Sequence, residues 1–118
     1  MTYNETNLQP PYKDIQAEEA HQMIEEGAYV VDVRRPEEWK RGHIAQAKLL
    51  PVEAGIYTFG KALKDMNLPA QENVVFVCAS GQRSALACEI ALLTGQNKVY
   101  NLAGGMYGWM QRGYPTER

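Results

Sequence analysis

Two short apolar runs, residues 29–33 and 74–77, stand between stretches whose apolar residues recur at helical spacing. The first is broken only by Asp32 and the second not at all. A strand with one face in water alternates apolar and polar residues, whereas a strand apolar throughout must be covered on both faces. Strands that alternate with helices and bury both faces belong to an α/β fold with a mainly parallel sheet and right-handed crossovers. In such a sheet, ligands bind beyond the carboxyl ends of the strands.

The rest of the chain fits that frame. Residues 12–15 predict a short edge strand. Residues 17–26 predict a helix with Ala20, Met23 and Ile24 on one face and Gly27 as its stop. Pro36 suits the first position of a short helix over 37–41. A third strand over 47–50 is ended by Pro51, and Ile56, Phe59, Leu63 and Met66 mark another amphipathic helix. Residues 82–94 predict a helix with Leu86, Ile90 and Leu93 on its apolar face and Gly95 at its end. A last strand over 99–102 leads through Gly104-Gly105 into a last helix over 106–112. Residues 1–11, polar and carrying Pro10-Pro11, read as a flexible arm ahead of one domain over 12–118.

The 118 residues suffice for one domain that buries roughly 65% of its unfolded surface. The formal net charge is −2, and no block of lysine and arginine points to nucleic acid or an anionic membrane. The start has no basic region followed by an apolar one, as a signal peptide would, and no apolar stretch nears the roughly 20 residues that span a bilayer. The cytoplasm is the expected compartment, with both cysteines as thiols rather than a disulfide.

The densest chemistry lies at Cys78. The apolar strand delivers this thiol into the loop Ala79-Ser80-Gly81-Gln82-Arg83-Ser84, and a helix follows at once. Backbone N–H groups of such a loop and of the helix start attract negative charge. They favour the thiolate, which is the reactive form. Arg83, in the first helical turn, is placed to fold back over the loop and pair bidentately with an anion. Ser80 and Ser84 can donate to a substrate oxygen or to the thiolate, or else cap the helix. Gly81 supplies a backbone conformation open only to glycine, or allows the close approach of a ligand.

The remaining candidates read more plainly. Cys88, inside the helix, is expected to pack in the core. Without Cys-x-x-Cys or a histidine cluster, no metal site is expected. His21 is expected to face solvent, and His43 to be a hydrogen-bonding loop residue. Asp32 interrupts an apolar strand and needs a partner, with Arg34, Arg35 or backbone N–H groups as candidates. Trp39 and Trp109 are expected as packing anchors.

At these residues the chain resembles the rhodanese-like domain, the thiosulfate sulfurtransferase superfamily, over about residues 12–117. Four segments carry the resemblance in the family's order. They are Val31-Asp32-Val33-Arg34 with Glu38-Trp39, then Gly42-His43-Ile44, the loop from Cys78 to Ser84, and Leu102-Ala103-Gly104-Gly105 with Trp109 and Gly113-Tyr114-Pro115. The resemblance implies a three-layer fold with a five-stranded sheet flanked by helices. It implies a sulfurtransferase that moves a sulfane sulfur from a donor such as thiosulfate to cyanide or a thiol, through a persulfide on Cys78 cradled by the amides of Ala79 to Ser84. Asp32 and Arg34 are expected as supporting residues of the site, and the resemblance implies that no metal or organic cofactor is needed.

Partners would be a small anionic sulfur donor, a thiophilic acceptor and, in a relay, another protein. A sulfur-carrier or regulatory module is a competing role. A phosphatase or arsenate-reductase-like activity of the same fold is another, and the loop length opposes it. Four residues separate Cys78 from Arg83, one fewer than in the related cell-cycle phosphatases. The chain departs from the family at Ala45-Gln46, at Leu49 and at Ala79, where many members carry a basic residue next to the cysteine.

Overall fold

The computed structural model describes residues 11–118, and the arm expected over residues 1–11 lies, apart from Pro11, outside them. The strands are β1 (Lys13–Ile15), β2 (Tyr29–Asp32), β3 (Ala47–Leu49), β4 (Asn73–Val77) and β5 (Lys98–Leu102). The helices are α1 (Ala17–Glu25), α2 (Pro36–Trp39), α3 (Ile56–Asp65), α4 (Gln82–Leu93) and α5 (Gly105–Gln111). Across the sheet the order is β1-β5-β4-β2-β3, with every strand pairing parallel. This is the α/β architecture that the two apolar runs demand. Those runs lie inside the sheet as neighbours, with Val30 opposite Val75 and Val31 opposite Phe76, while the shorter β1 and β3 form its edges.

The pleat of β4 divides the core. Val74, Phe76 and Cys78 face one cluster with Phe59 and Leu63 of α3 and Ala87, Cys88 and Ala91 of α4. Val75 and Val77 face the other, with Ala20 and Ile24 of α1 and Met106 and Trp109 of α5. Both sides of the strand are thus sealed, and the chain leaves β4 at its carboxyl end straight into the Cys78 loop.

Most element ends fall within a residue or two of expectation. The helix expected over 37–41 stops at Trp39, where the chain turns toward Gly42. A short 3-10 turn, Val52–Ala54, joins β3 to α3 and was not anticipated. The apolar face of α4 differs more. Leu93 is 85% exposed and Leu86 42%, while Ser84, Ala87, Cys88, Ile90 and Ala91 are buried. The helix turns its small residues to the sheet, because it must approach closely to bring its first turn against the loop. Among the described residues, no helix is long and apolar enough to cross a membrane.

Candidate active site

The site starts from the end of β4. Cys78 is 1% exposed. Its Sγ accepts the Gly81 N–H at 3.0 Å and lies 3.3 Å from Ser84 Oγ. Burial pushes the Cys78 thiol up, but the Ser84 hydroxyl and the N–H groups of Ser84, Gly81 and Ser80 more than offset it. The net pKa lies below that of an ordinary thiol. No carboxylate or imidazole hydrogen-bonds this sulfur among the described residues, so oriented N–H groups, rather than a base, favour its ionised form.

Glycine enables the loop to curl so tightly. Gly81 has φ +103°, and a Cβ there would run into the Ala103 carbonyl. The close approach at this position is therefore made by the chain itself, where that of a ligand was expected. Neither serine caps α4, whose N-cap is Gly81 without a side-chain bond. Ser84 instead turns inward, and Ser80 is exposed. The start of α5 clamps the loop from the other side, as Met106 N–H donates to the Cys78 carbonyl at 2.8 Å and Tyr107 N–H to that of Ala79 at 3.1 Å.

Arg83 does use its fork bidentately, but not over the loop. Its terminal nitrogens donate to the two Glu38 carboxylate oxygens at 2.7 and 2.8 Å. That bond, with the Arg35 N–H adding to it, holds the Glu38 carboxyl at about 2 despite its partial burial. Asp32 finds its partner in Arg34, whose Nε and side-chain NH2 donate at 2.9 and 2.8 Å and whose backbone N–H adds a third bond. The same guanidinium donates to the Gly42 carbonyl at 2.9 Å, which ties the end of β2 to the Gly42-His43-Ile44 turn. Asp32 and Arg34 thus brace the neighbouring turn and do not reach the sulfur.

Other candidates fall apart from the sulfur. His43 is buried, stacks on Trp39 with ring centroids 3.5 Å apart, and bonds the Trp39 carbonyl through Nδ1. His21 does not face open solvent. It is half-buried and stacked on Tyr114 at 4.3 Å, with Trp109 at its edge. Trp109 is a packing anchor, 2% exposed, whose indole N–H donates to the Pro115 carbonyl. Cys88 is fully buried, and burial pushes its thiol up, which keeps it protonated. No cluster of histidine, cysteine and acidic residues able to hold a metal occurs among the described residues.

The sequence reading missed Asn101 and gave Glu38 no role. Asn101 is 3% exposed and bonds both Ser84 and the Gly81 carbonyl. Its signal was the one that flagged Asp32, a polar residue in an apolar strand. Beside Ala79 opens a groove of about 300 Å³, lined by Arg34, Arg41, Met106, Tyr107 and Met110 among others. Together these groups make a buried, ionisable thiol fenced by N–H donors, with an open groove beside the next residue. That arrangement suits nucleophilic attack and the holding of a small anionic adduct.

The family model for the rhodanese-like domain matches residues 16–112. A sulfurtransferase of Allochromatium vinosum is 33% identical over 90 residues, covering 76% of this chain and 78% of its own. A thiosulfate sulfurtransferase of Arabidopsis thaliana is 26% identical over 109 residues, covering 86% of this chain and 80% of its own. Among solved structures, a rhodanese-related protein of Thermoplasma volcanium superposes with a TM-score of 0.75 at 32% identity, over 90% of this chain and 98% of the other.

Proposed function

Since the chain belongs to the rhodanese-like domain family, whose sulfurtransferase members it resembles, we propose that it moves a sulfane sulfur through a persulfide on Cys78. The reading rests on one observation, the buried Cys78 sulfur at the end of β4 that accepts the Gly81 N–H of the loop at 3.0 Å. With thiosulfate as donor, the Cys78 thiolate attacks the outer sulfur. The sulfur–sulfur bond of the donor breaks, sulfite leaves with the bonding pair, and Cys78 carries a persulfide anion. Cyanide or a thiolate then attacks the outer persulfide sulfur, takes it as thiocyanate or a new persulfide, and returns the Cys78 thiolate.

Loop amides supply the stabilisation by meeting the negative charge on each sulfur in turn, as an oxyanion hole meets oxygen. Two free cysteines suit a reducing compartment, which fits the cytoplasm.

Mass spectrometry of the intact chain tests the reading. Thiosulfate should add one sulfur atom, and cyanide should remove it. Cys78→Ser should abolish both adduct and turnover, while Cys88→Ala should keep most activity. Labelling at Cys88 would refute the assignment. A single sulfur load without steady turnover would instead favour a carrier role, and robust hydrolysis of an aryl phosphate would favour the phosphatase alternative.

A further inference from the structure

Asn101 lies near the carboxyl end of β5, in register with Phe76 of β4 on one side and Asp14 of β1 on the other. Its amide is engaged at both ends. Nδ2 donates to the Asp14 carboxylate at 2.9 Å and to the Gly81 carbonyl at 3.1 Å, and Oδ1 meets Ser84 Oγ at 2.5 Å. The two acceptors around Nδ2 fix the amide's orientation. Turned over, Oδ1 would face a carboxylate and a carbonyl with no proton between them. Amide Oδ1 carries no hydrogen, so the hydrogen of the Ser84–Asn101 bond belongs to the Ser84 hydroxyl.

A serine has a single hydroxyl hydrogen. While Asn101 holds it, Ser84 turns a lone pair toward Cys78 Sγ, 3.3 Å away. The neutral thiol suits that arrangement, because its S–H can donate to Oγ. The thiolate does not, because a lone pair then faces a negative charge. Resting on the persulfide role for Cys78, we infer that Asn101 is a positioning residue that competes with the Cys78 sulfur for the Ser84 hydroxyl hydrogen. In the thiol state, S–H donates to Ser84 and Ser84 to Asn101. When the thiol proton leaves to water, the hydroxyl hydrogen swings from Oδ1 to the sulfur, and no covalent bond other than S–H changes. Through Nδ2, Asn101 meanwhile holds the Gly81 carbonyl, and with it the loop that aims the Gly81 N–H at the sulfur.

The test is the pH midpoint of Cys78 ionisation in the full chain, read by ultraviolet thiolate absorbance and differenced against Cys78→Ser. This readout needs no reagent to reach a buried sulfur. If Ser84 were a free donor to the thiolate, Ser84→Ala would raise the midpoint by about half to one pH unit. In this scheme Ser84 makes two bonds beside the thiol, accepting S–H and donating to Oδ1, and one beside the thiolate, so Ser84→Ala costs both states and should leave the midpoint unchanged or lower it. Asn101→Leu frees the hydroxyl and should lower the midpoint by about half to one pH unit. That fall should disappear in the double variant Ser84→Ala with Asn101→Leu.

A merely structural Asn101 predicts the opposite sign, because a loosened Gly81 misaims its N–H and raises the midpoint. A rise in either single variant, or no change in Asn101→Leu, overturns the inference. If Asn101→Leu fails to fold, Ser84→Ala decides alone. Sulfur uptake plays no part in this measurement. A chain that accepted no sulfur would therefore defeat the proposed function and leave the midpoints to judge Asn101.

Discussion

A methyl group added at Gly105 would run into the Ala79 carbonyl, and the Cys78 carbonyl lies close behind it. The residue also sits at φ +59°, where a side chain is costly. These facts share one cause. The first turn of α5 must lie against the loop backbone for Met106 and Tyr107 to donate their N–H groups to it. Gly105→Ala should therefore destabilise the fold by about 2–3 kcal/mol, combining left-handed strain of about 1–2 kcal/mol with backbone overlap. The melting temperature should fall by about 10 °C, and sulfur loading at Cys78 should fall with it. The matched control is Gly108→Ala in the same helix. An added Cβ there meets nothing within 4 Å, so the change should be neutral or stabilise by up to about 1 kcal/mol. Equal losses in the two variants would remove the clamp from the account.

At the scale of elements, α2 and α4 meet through one ion pair. Glu38, whose side chain is 17% exposed, accepts the Arg83 fork and also the Arg35 N–H at the start of its own helix. The folded carboxyl titrates near 2, against about 4.3 in an unfolded chain. A depressed carboxyl stabilises the fold fully above the unfolded value and loses that contribution as pH falls toward the folded one. Urea melts should show Glu38→Gln less stable than wild type by about 1–2 kcal/mol at pH 7, with the gap closing between about pH 4 and pH 2. A gap that persisted unchanged at low pH would mean that the pair contributes through packing rather than charge.

Elements also show where sequence reading reaches and stops. β2 and β4 were legible because an uninterrupted apolar run has few places to go. The inward face of α4 was legible only at Ile90, because Leu86 and Leu93 continue its stripe as regularly as the Ala87, Cys88 and Ala91 that are buried. Side-chain size alone misplaced Leu86 and Leu93, and the choice was made by how near the sheet the helix had to come. Arg83 shows the same limit at the site. Its charge and place at the loop were readable, but its partner lies 45 residues upstream and is brought near only by the crossover.

At the scale of the whole molecule, the chain carries a formal net charge of −2, and a thiosulfate dianion must approach against it. Near the loop, Arg41 lines the groove and is exposed, but the other two arginines are already paired. Arg83 is held by Glu38 and Arg34 by Asp32. Ala79 brings no charge to the groove that it lines. Adding a cation at this mouth should therefore act on encounter and binding rather than on the sulfur–sulfur bond. An exposed charge pair is worth about 0.2–1 kcal/mol, a few-fold in apparent affinity. Wild type should show a high thiosulfate KM, and Ala79→Arg should lower it more than it changes kcat. The gain should shrink as salt rises, because mobile ions screen the added attraction. A monoanionic organic thiosulfonate supplies the control, since it offers the new arginine half the charge of thiosulfate and should gain less. If Ala79→Arg left thiosulfate kinetics untouched at low salt, the missing charge would not set the choice of donor. Shape would then have to set it, and the apolar side of the groove at Met106, Tyr107 and Met110 is the surface to alter next.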